Sequence, residues 1–483
     1  MRIVTISEQK EKLFLVFDQG GHATRALVFN ELGQIVCRAE SEISTIQKGD
    51  LVVEHVPEEI VRSVFQVLKD VEVSLGGECS NISAAGLATQ RSSFVCWDKN
   101  TGRALTPVIS WQDRRALNTL VRFKNMEARI HDTTGLYLNP HYGASKMTWC
   151  LQHETAVQAS LKAKNLCMAP LASYILFHLL AGHPFKVDPA NASRTLLMDY
   201  KKLAWDKTLL DVFAIPASSL PVIENTRVEY GYLELKNMAI PLLICSGDQS
   251  AAIFAEGTPK SSSLYVNVGT GAFVQQYCDQ LPALAEEKML ASIVYADALR
   301  RAYVIEGTVN GAARALDGLA ENNGFRDYQA KLDVWAQAVD EPPVYINGIS
   351  GVGSPFWKAT LNSHFLDDAP LEAQFVGVLE SIVFLIYSNV AAIQKLHKKP
   401  GKIAIAGGLS NSCALCQKLS DLTQLPVQRA AESEATAKGV YFLLSGIEAD
   451  TPGQKCQTFN PAENKLLVAR YTRWLAVMWQ HID

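Results

Sequence analysis

The chain has 483 residues, 48% of them hydrophobic and 19% charged, with a net charge of −4 at pH 7. That length exceeds one ordinary core and fits two large domains or three smaller ones, and the composition is that of a globular protein, neither disordered nor membrane-embedded. No basic tract reaches five residues, so the basic stripe of a nucleic-acid binder is missing.

Met1 to Lys12 alternates charged and apolar residues and shows no cleavage-site pattern, so no signal peptide is expected. Leu13 to Phe17 is a continuous apolar run that ends in Asp18-Gln19-Gly20-Gly21, and Arg25 to Phe29 follows at once, then a turn at Asn30 to Gly33 and a run from Gln34. This predicts strand, tight turn, strand, turn, strand. Pro57 to Leu75 has helical spacing with proline in its first turn, and Ile82 to Thr89 is a further strand. The longest apolar stretch by eye, Leu171 to Gly182, contains His178 and falls short of the roughly 20 residues needed to span a bilayer. Ten scattered cysteines predict reduced thiols and a cytoplasmic protein. Cys413 and Cys416 have CxxC spacing; with no second pair to complete a metal site they read as two small hydrophobes on one helix.

The second half repeats the theme. Ser263 to Val268 is an apolar strand ending in Gly269-Thr270-Gly271, and Phe273 to Tyr277 continues as a second strand. Further strands are expected between Met289 and Ile305, a helix over Glu306 to Leu319, a long amphipathic helix over Glu372 to Leu396, and a strand Ile403 to Ala406 running into Gly407-Gly408. A glycine-bearing turn after an early strand in each half points to internal duplication. Two α/β domains facing one cleft, divided near Gly247 to Gly257, are the natural arrangement.

Four motifs can carry chemistry. Asp18 to Arg25 offers backbone N–H groups to an anion and a carboxylate to a magnesium ion, or is a Gly-rich hairpin. Gly269-Thr270-Gly271 places a hydroxyl between glycines, where it can donate to a terminal phosphate. Ala406 to Asn411 lets the backbone approach a flat ligand such as adenine, or packs a strand closely on a helix. In Cys245 to Ala251 a buried strand meets a helix start at Asp248, which is an N-cap or a base that accepts a proton from a substrate hydroxyl. There is no GxxxxGK[ST] P-loop. Gly348 to Gly353 is loosely similar to a dinucleotide loop, but Pro355 argues against a helix opening there.

Taken in order, these motifs resemble the FGGY family of carbohydrate kinases, and most closely its glycerol-kinase-like branch. The resemblance rests on Asp18-Gln19-Gly20 with Arg25, Thr89-Gln90-Arg91, Ile109 to Arg115, Thr134-Gly135-Leu136 with Lys146 and Trp149, Asp188 to Thr195, Gly247-Asp248-Gln249, Gly269-Thr270-Gly271, Gly351 to Trp357, Gly407-Gly408 and Glu434 to Gly439. It implies two actin-like, ribonuclease-H-type α/β domains related by duplication, with residues 1–252 on the acceptor side of an interdomain cleft and 253–483 on the ATP side. It implies an ATP-dependent kinase for a hydroxyl of a small polyol or sugar, using Mg²⁺.

The resemblance also assigns roles. Asp248 is the general base. Gln90, Arg91, Trp111, Tyr142 and Gln249 line the acceptor pocket, and Phe273 packs on the acceptor's carbon skeleton. Asp18, the metal ligand, and Gly20, Gly21, His22, Thr24, Arg25, Gly269, Thr270 and Gly271 attend the phosphates. Thr308, Gly311, Gly407, Gly408 and Asn411 lie near the nucleoside. From the residues alone, Arg91 can instead be a structural arginine pairing with Asp113 or another acid, and Trp111 can be core. Two departures stand out. Gly21 stands where the family carries Thr or Ser, leaving Thr24 or His22 to supply a donor. Ser92 stands where glycerol kinases carry a glutamate that binds glycerol hydroxyls; a charged acceptor of that kind contributes about 1.5–3 kcal/mol per hydrogen bond. A longer polyol or a ketose such as a pentulose is therefore at least as well suited as glycerol. The rival classes are a catalytically weakened sugar- or nucleotide-binding regulator on the same scaffold, and a phosphatase-like or chaperone-like ATPase, which lacks the pocket of Gln90, Arg91 and Trp111. Neither nucleic acid nor membrane is expected as a partner, and the oligomeric state is left open, a homodimer included.

Overall fold

The computed structural model describes residues 11–49, 51–284, 287–358, 360–430, 434–446 and 456–482. The N-terminal stretch read for a cleavage pattern lies, up to residue 10, outside them. The chain forms two compact units, one of Met1–Thr258, Ser292–Ala302 and Glu434–Asp450, the other of Pro259–Ala291, Tyr303–Ser433 and Thr451–Asp483.

The first unit is built on a six-stranded sheet in the order Arg227–Leu235, Met238–Gly247, Ile82–Thr89, Leu13–Gln19, Ala23–Phe29, Ile35–Glu42. Met238–Gly247, Ile82–Thr89 and Leu13–Gln19 are parallel neighbours, and the flanking pairs are antiparallel. A parallel strand in the middle of a covered sheet is buried on both faces, which is why Leu13–Gln19 reads as an unbroken apolar run. The helix Pro57–Leu75 closes one face with Ile60, Val64, Val67, Leu68 and Val71, packed into the same core as Leu15, Phe17, Ala26 and Val28.

The second unit carries a seven-stranded sheet in the order Leu290–Ala296, Arg301–Val309, Ala272–Cys278, Ser263–Val268, Lys402–Ala406, Val427–Ala430, Cys456–Phe459. Leave out the first of these and read the rest backwards, and the order and sense of every pairing match those of the first sheet: antiparallel, parallel, parallel, antiparallel, antiparallel. Both glycine turns, Gly20-Gly21 and Gly269 to Gly271, join the same pair of strands in this scheme. The duplication expected from the sequence is therefore present at the level of topology.

Two expectations need correction. Glu306 to Val309 is the end of a strand, not the start of a helix; the helix begins at Ala313 and runs to Asn322. The cause is tertiary: Gln275 pairs with Glu306 across the sheet, and its amide donates to the Glu306 carboxylate at 2.9 Å. The long helix Leu371–Leu396 is not amphipathic; it is the one helix among the described residues long and apolar enough to cross a membrane, and 89% of its most apolar window is buried inside the protein. Cys413 and Cys416 lie on the helix Cys413–Thr423, with Cys416 buried, and no group of metal-ligating side chains occurs among the described residues.

The helix Ala435–Ser445, from the far end of the sequence, packs on the first unit's sheet and on the short helix Asp248–Ala252. Gly439 makes this possible, because a Cβ there would overlap the carbonyl oxygen of Ala251. Gly439→Ala is expected to destabilise the protein by about 1–3 kcal/mol through overpacking, while Gly318→Ala, which faces open space, leaves it as stable or more so. Denaturant unfolding of the two variants checks this; equal stability of Gly439→Ala and wild type contradicts it.

Candidate active site

Three parallel strands of the first unit stop in register. Gln19 pairs with Thr89, and Thr89 pairs with Gly247. The residues at and just beyond that row, Asp18, Gln90, Arg91 and Asp248, therefore gather at the carboxyl end of the sheet, where open α/β sheets bind ligands.

Asp248 is the first residue of its helix and Gly247 is the N-cap, so the aspartate does not serve as the cap. Its carboxylate accepts the N–H of Gln249 at 2.6 Å and lies 3.7 Å from Nε of Arg91. The side chain keeps 26% of its surface while Arg91 keeps 6%. Gly247 lets the arginine through: a Cβ there would come within 2.6 Å of Arg91 Cδ. Burial raises the Asp248 pKa, and Arg91, the Gln249 N–H and Arg194 pull it back. Asp18, 9% exposed, is pushed up to about 7, by burial first and then by the charge of Asp248, with Arg25 opposing and Glu434 adding to the rise.

The Arg91–Asp113 alternative is not what forms. Asp113 is fully buried, accepts Val53 N–H at 2.8 Å and is held by Arg115 at 2.7 Å. Gln90 is buried; its amide donates to Gly20 O at 3.2 Å and its carbonyl accepts from Ser93 Oγ at 2.8 Å. That same serine accepts the N–H of Trp111 at 3.0 Å. Trp111 is half-buried rather than core, with its ring edge-on to His141, which in turn meets Tyr142. Tyr142 is buried at the N-cap of the helix Gly143–His153. Gln249 is half-buried beside Asp248.

In the glycine turn, Gly20 N–H donates to Ala23 O at 2.9 Å, and Gly21 has open space where a Cβ would stand. His22 is exposed. Thr24 cannot stand in for the missing hydroxyl: it is fully buried and bonded to Ser63 Oγ of the helix Pro57–Leu75 at 2.6 Å. Its side chain lies on the face of the sheet that the helix Pro57–Leu75 covers, because successive strand residues face opposite sides. Arg25 pairs with Glu40 at 3.3 Å.

The second unit gathers its own set. Gly269 to Gly271, Thr308, Gly311 and Gly407 stand at the ends of Ser263–Val268, Arg301–Val309 and Lys402–Ala406, tied by Ala312 N–H to Thr270 O at 2.8 Å and Ala313 N–H to Gly269 O at 3.1 Å. A Cβ on Gly271 would lie 2.7 Å from Val309 O, and one on Gly407 2.5 Å from Val268 O. At both positions glycine is what lets the protein's own backbone segments pack this closely. Gly408 and Asn411 are exposed at the entrance to the helix Cys413–Thr423. Phe273, half-buried, pairs with Asn267 and Thr308 in this same sheet.

Sequence reading missed Arg194 and Glu434 as partners of the two aspartates, and Lys146 as more than a motif residue. Arg194 donates to Ser292 Oγ at 2.7 Å, and Glu434 pairs with Arg38 at 2.9 Å. No local signal marks them, since their partners are about 100 and 400 residues away.

The state of Asp18 can be tested in the absence of nucleotide and divalent cation. Its pKa is about 7 in the fold, against an ordinary aspartate value of 3.8. Between those values the folded chain holds a proton that the unfolded chain has released, so Asp18 favours folding at acid pH and this contribution is lost as pH rises through about 7. Asp18→Asn should therefore raise Tm at pH 8 and leave it unchanged at pH 4; each kcal/mol moves Tm by about 2–4 °C in a domain of this size. Scanning calorimetry at both pH values checks this, and equal shifts at both contradict it.

With this geometry in hand, comparison with known proteins is direct. Residues 13–255 match the N-terminal domain, and residues 264–445 the C-terminal domain, of the FGGY family of carbohydrate kinases. The chain is 31% identical over 446 residues to a glycerol kinase of Trichodesmium erythraeum, covering 89% of this chain and 88% of that one. It is 30% identical over 484 residues to a glycerol kinase of Acaryochloris marina, covering 95% and 96%. Among solved structures, the Plasmodium falciparum glycerol kinase with ADP superposes with a TM-score of 0.87 at 20% identity, covering 98% of this chain and 99% of that one. A xylulose kinase from Brucella ovis superposes with a TM-score of 0.85 at 21% identity, covering 96% and 98%. The fold is the actin-like one, and the chain belongs to the FGGY family of carbohydrate kinases, in its glycerol-kinase-like branch, as a phosphotransferase with an alcohol group as acceptor.

Proposed function

We propose that this kinase phosphorylates a hydroxyl of a small polyol or ketose at the expense of ATP, with Asp248 as general base and a pentulose-sized acceptor preferred to glycerol. The observation that carries the reading is the meeting of Asp18, Gln90, Arg91 and Asp248 at one sheet end, with Arg91 Nε 3.7 Å from the Asp248 carboxylate.

Asp248 orients the acceptor hydroxyl and takes its proton as the phosphoryl group arrives; its raised pKa makes it the stronger base. Arg91 keeps that carboxylate aimed. Gln90, Trp111, Tyr142 and Gln249 form the walls of the acceptor pocket. ATP supplies the phosphoryl group, and the close-approaching backbone of Gly269 to Gly271 and Gly407 fits its binding. Thr308, Gly311, Gly408 and Asn411 accompany that backbone in the reading, as do the backbone N–H groups of Gly20 and Gly21. Mg²⁺ would neutralise phosphate charge, and Asp18 fits it: a carboxylate whose proton affinity is raised by burial first and by Asp248 second gains most from a cation. Magnesium needs only one or two carboxylates besides phosphate oxygens and water. Residues 1–252 carry the acceptor chemistry and 253–483 the nucleotide chemistry in this assignment.

The acceptor preference rests on Ser92. It is buried, and its hydroxyl has no hydrogen-bond partner among the described residues. A short side chain there leaves room for a longer carbon chain and removes the charged acceptor expected of a glycerol pocket. ADP release with Mg-ATP and a panel of glycerol, erythritol, xylitol, D-ribulose and D-xylulose tests both parts. A pentulose should give the highest kcat/KM, and Ser92→Glu should shift the pentulose-to-glycerol ratio toward glycerol by tenfold or more. Release of ADP independent of every acceptor contradicts the kinase reading; glycerol as the best substrate of the wild type contradicts the preference.

A further inference from the structure

Lys146 is fully buried on the helix Gly143–His153. Its ammonium donates to three backbone carbonyls: Ser110 O at 2.7 Å, His141 O at 3.0 Å and Ser92 O at 3.5 Å. An ammonium has three N–H donors and no acceptor, so three carbonyls saturate it. The three segments it joins are far apart in sequence. Each carbonyl belongs to a residue directly beside one assigned to the acceptor pocket: Ser92 follows Arg91, Ser110 precedes Trp111 and His141 precedes Tyr142. Ser92 also has φ of 66°, a left-handed conformation costly for serine. The hydrogen bond to its carbonyl helps hold that turn.

The surroundings do not otherwise explain a buried cation. Burial lowers the Lys146 pKa to about 7; Asp113 and Cys150 favour the charge and Arg115 opposes it, and the oxygens of Asp113 are themselves taken up by Val53 N–H and Arg115. Burying an ammonium without a direct carboxylate partner is expensive, which argues for a job that carbonyl clamping performs.

We propose that Lys146 is a positioning residue for the acceptor: a single ammonium that fixes the backbone turns presenting Arg91, Trp111 and Tyr142. The inference rests on the acceptor-pocket reading above. It sets no contact between Lys146 and substrate; its effect is on where the pocket side chains stand. Removing the charge while keeping the length should therefore weaken acceptor binding and leave nucleotide binding alone.

The test compares Lys146→Met with Thr148→Ala. Thr148, buried on the same helix, donates to Ala144 O and Phe213 O at 3.0 and 2.8 Å, and neither bond goes to one of the three turns. Steady-state kinetics are run with D-xylulose, or with glycerol if that is the acceptor turned over, each against Mg-ATP. Lys146→Met should raise the acceptor KM tenfold or more and change the ATP KM by less than twofold, while Thr148→Ala lowers Tm and leaves both KM values in place. Lys146→Gln, which keeps two N–H donors, should fall between Met and wild type, and carries the test if the Met variant does not fold. An acceptor KM within twofold of wild type in a folded Lys146 variant overturns the proposal. So does an equal rise in Thr148→Ala, or failure of both Lys146 variants to fold. If the wild type turns over neither acceptor, it is the proposed function that fails, which separates the two results.

Discussion

Two carboxylates held near one another at the end of a parallel sheet set the terms for everything else in the first unit. Asp18 sits on one of the two strands that flank Ile82–Thr89 and Asp248 directly follows the other, so strand spacing sets their separation more than side-chain choice does. Burial makes their repulsion count. The fold answers with two arginines on Asp248 and one on Asp18, and still leaves Asp18 near neutrality in proton affinity. A site of this kind stores an unfavourable interaction that a cation and an incoming proton both relieve. The glycine at 247 exists to let Arg91 cross to its partner, and the one at 439 lets a distant helix press on the helix that starts with Asp248.

The same topology is used twice, for different ends. Both sets of strand ends carry glycines, and the first adds the charged side chains of Asp18, Arg91 and Asp248 at or just beyond its strand ends. Lys146 extends the pattern. It stabilises backbone turns whose side chains face elsewhere, so the geometry of the pocket depends on a residue outside it.

Much of this was legible in the sequence because parallel strands and glycine turns leave local marks. Leu13 to Gly21, Pro57 to Leu75, Ile82 to Thr89 and Ser263 to Gly271 could be read directly from apolar runs and their punctuation, and the order of the motifs pointed to the family. Positions set by long-range packing were not legible. Glu306 to Val309 reads as a helix start until a neighbouring strand claims it. Thr24 reads as a phosphate donor until the pleat turns it toward Ser63. Arg194, Glu434 and the reach of Lys146 appear only once distant segments are brought together.

In the proposed reaction Asp248 orients the acceptor hydroxyl and takes its proton, while the acceptor's affinity comes mainly from the other pocket residues. The direct measurement is calorimetric binding of the acceptor to Asp248→Asn beside single-turnover phosphoryl transfer by the same protein. The account predicts binding within about threefold of wild type and a transfer rate lower by a hundredfold or more, in the range lost with a positioned base. Wild-type transfer by that variant contradicts it.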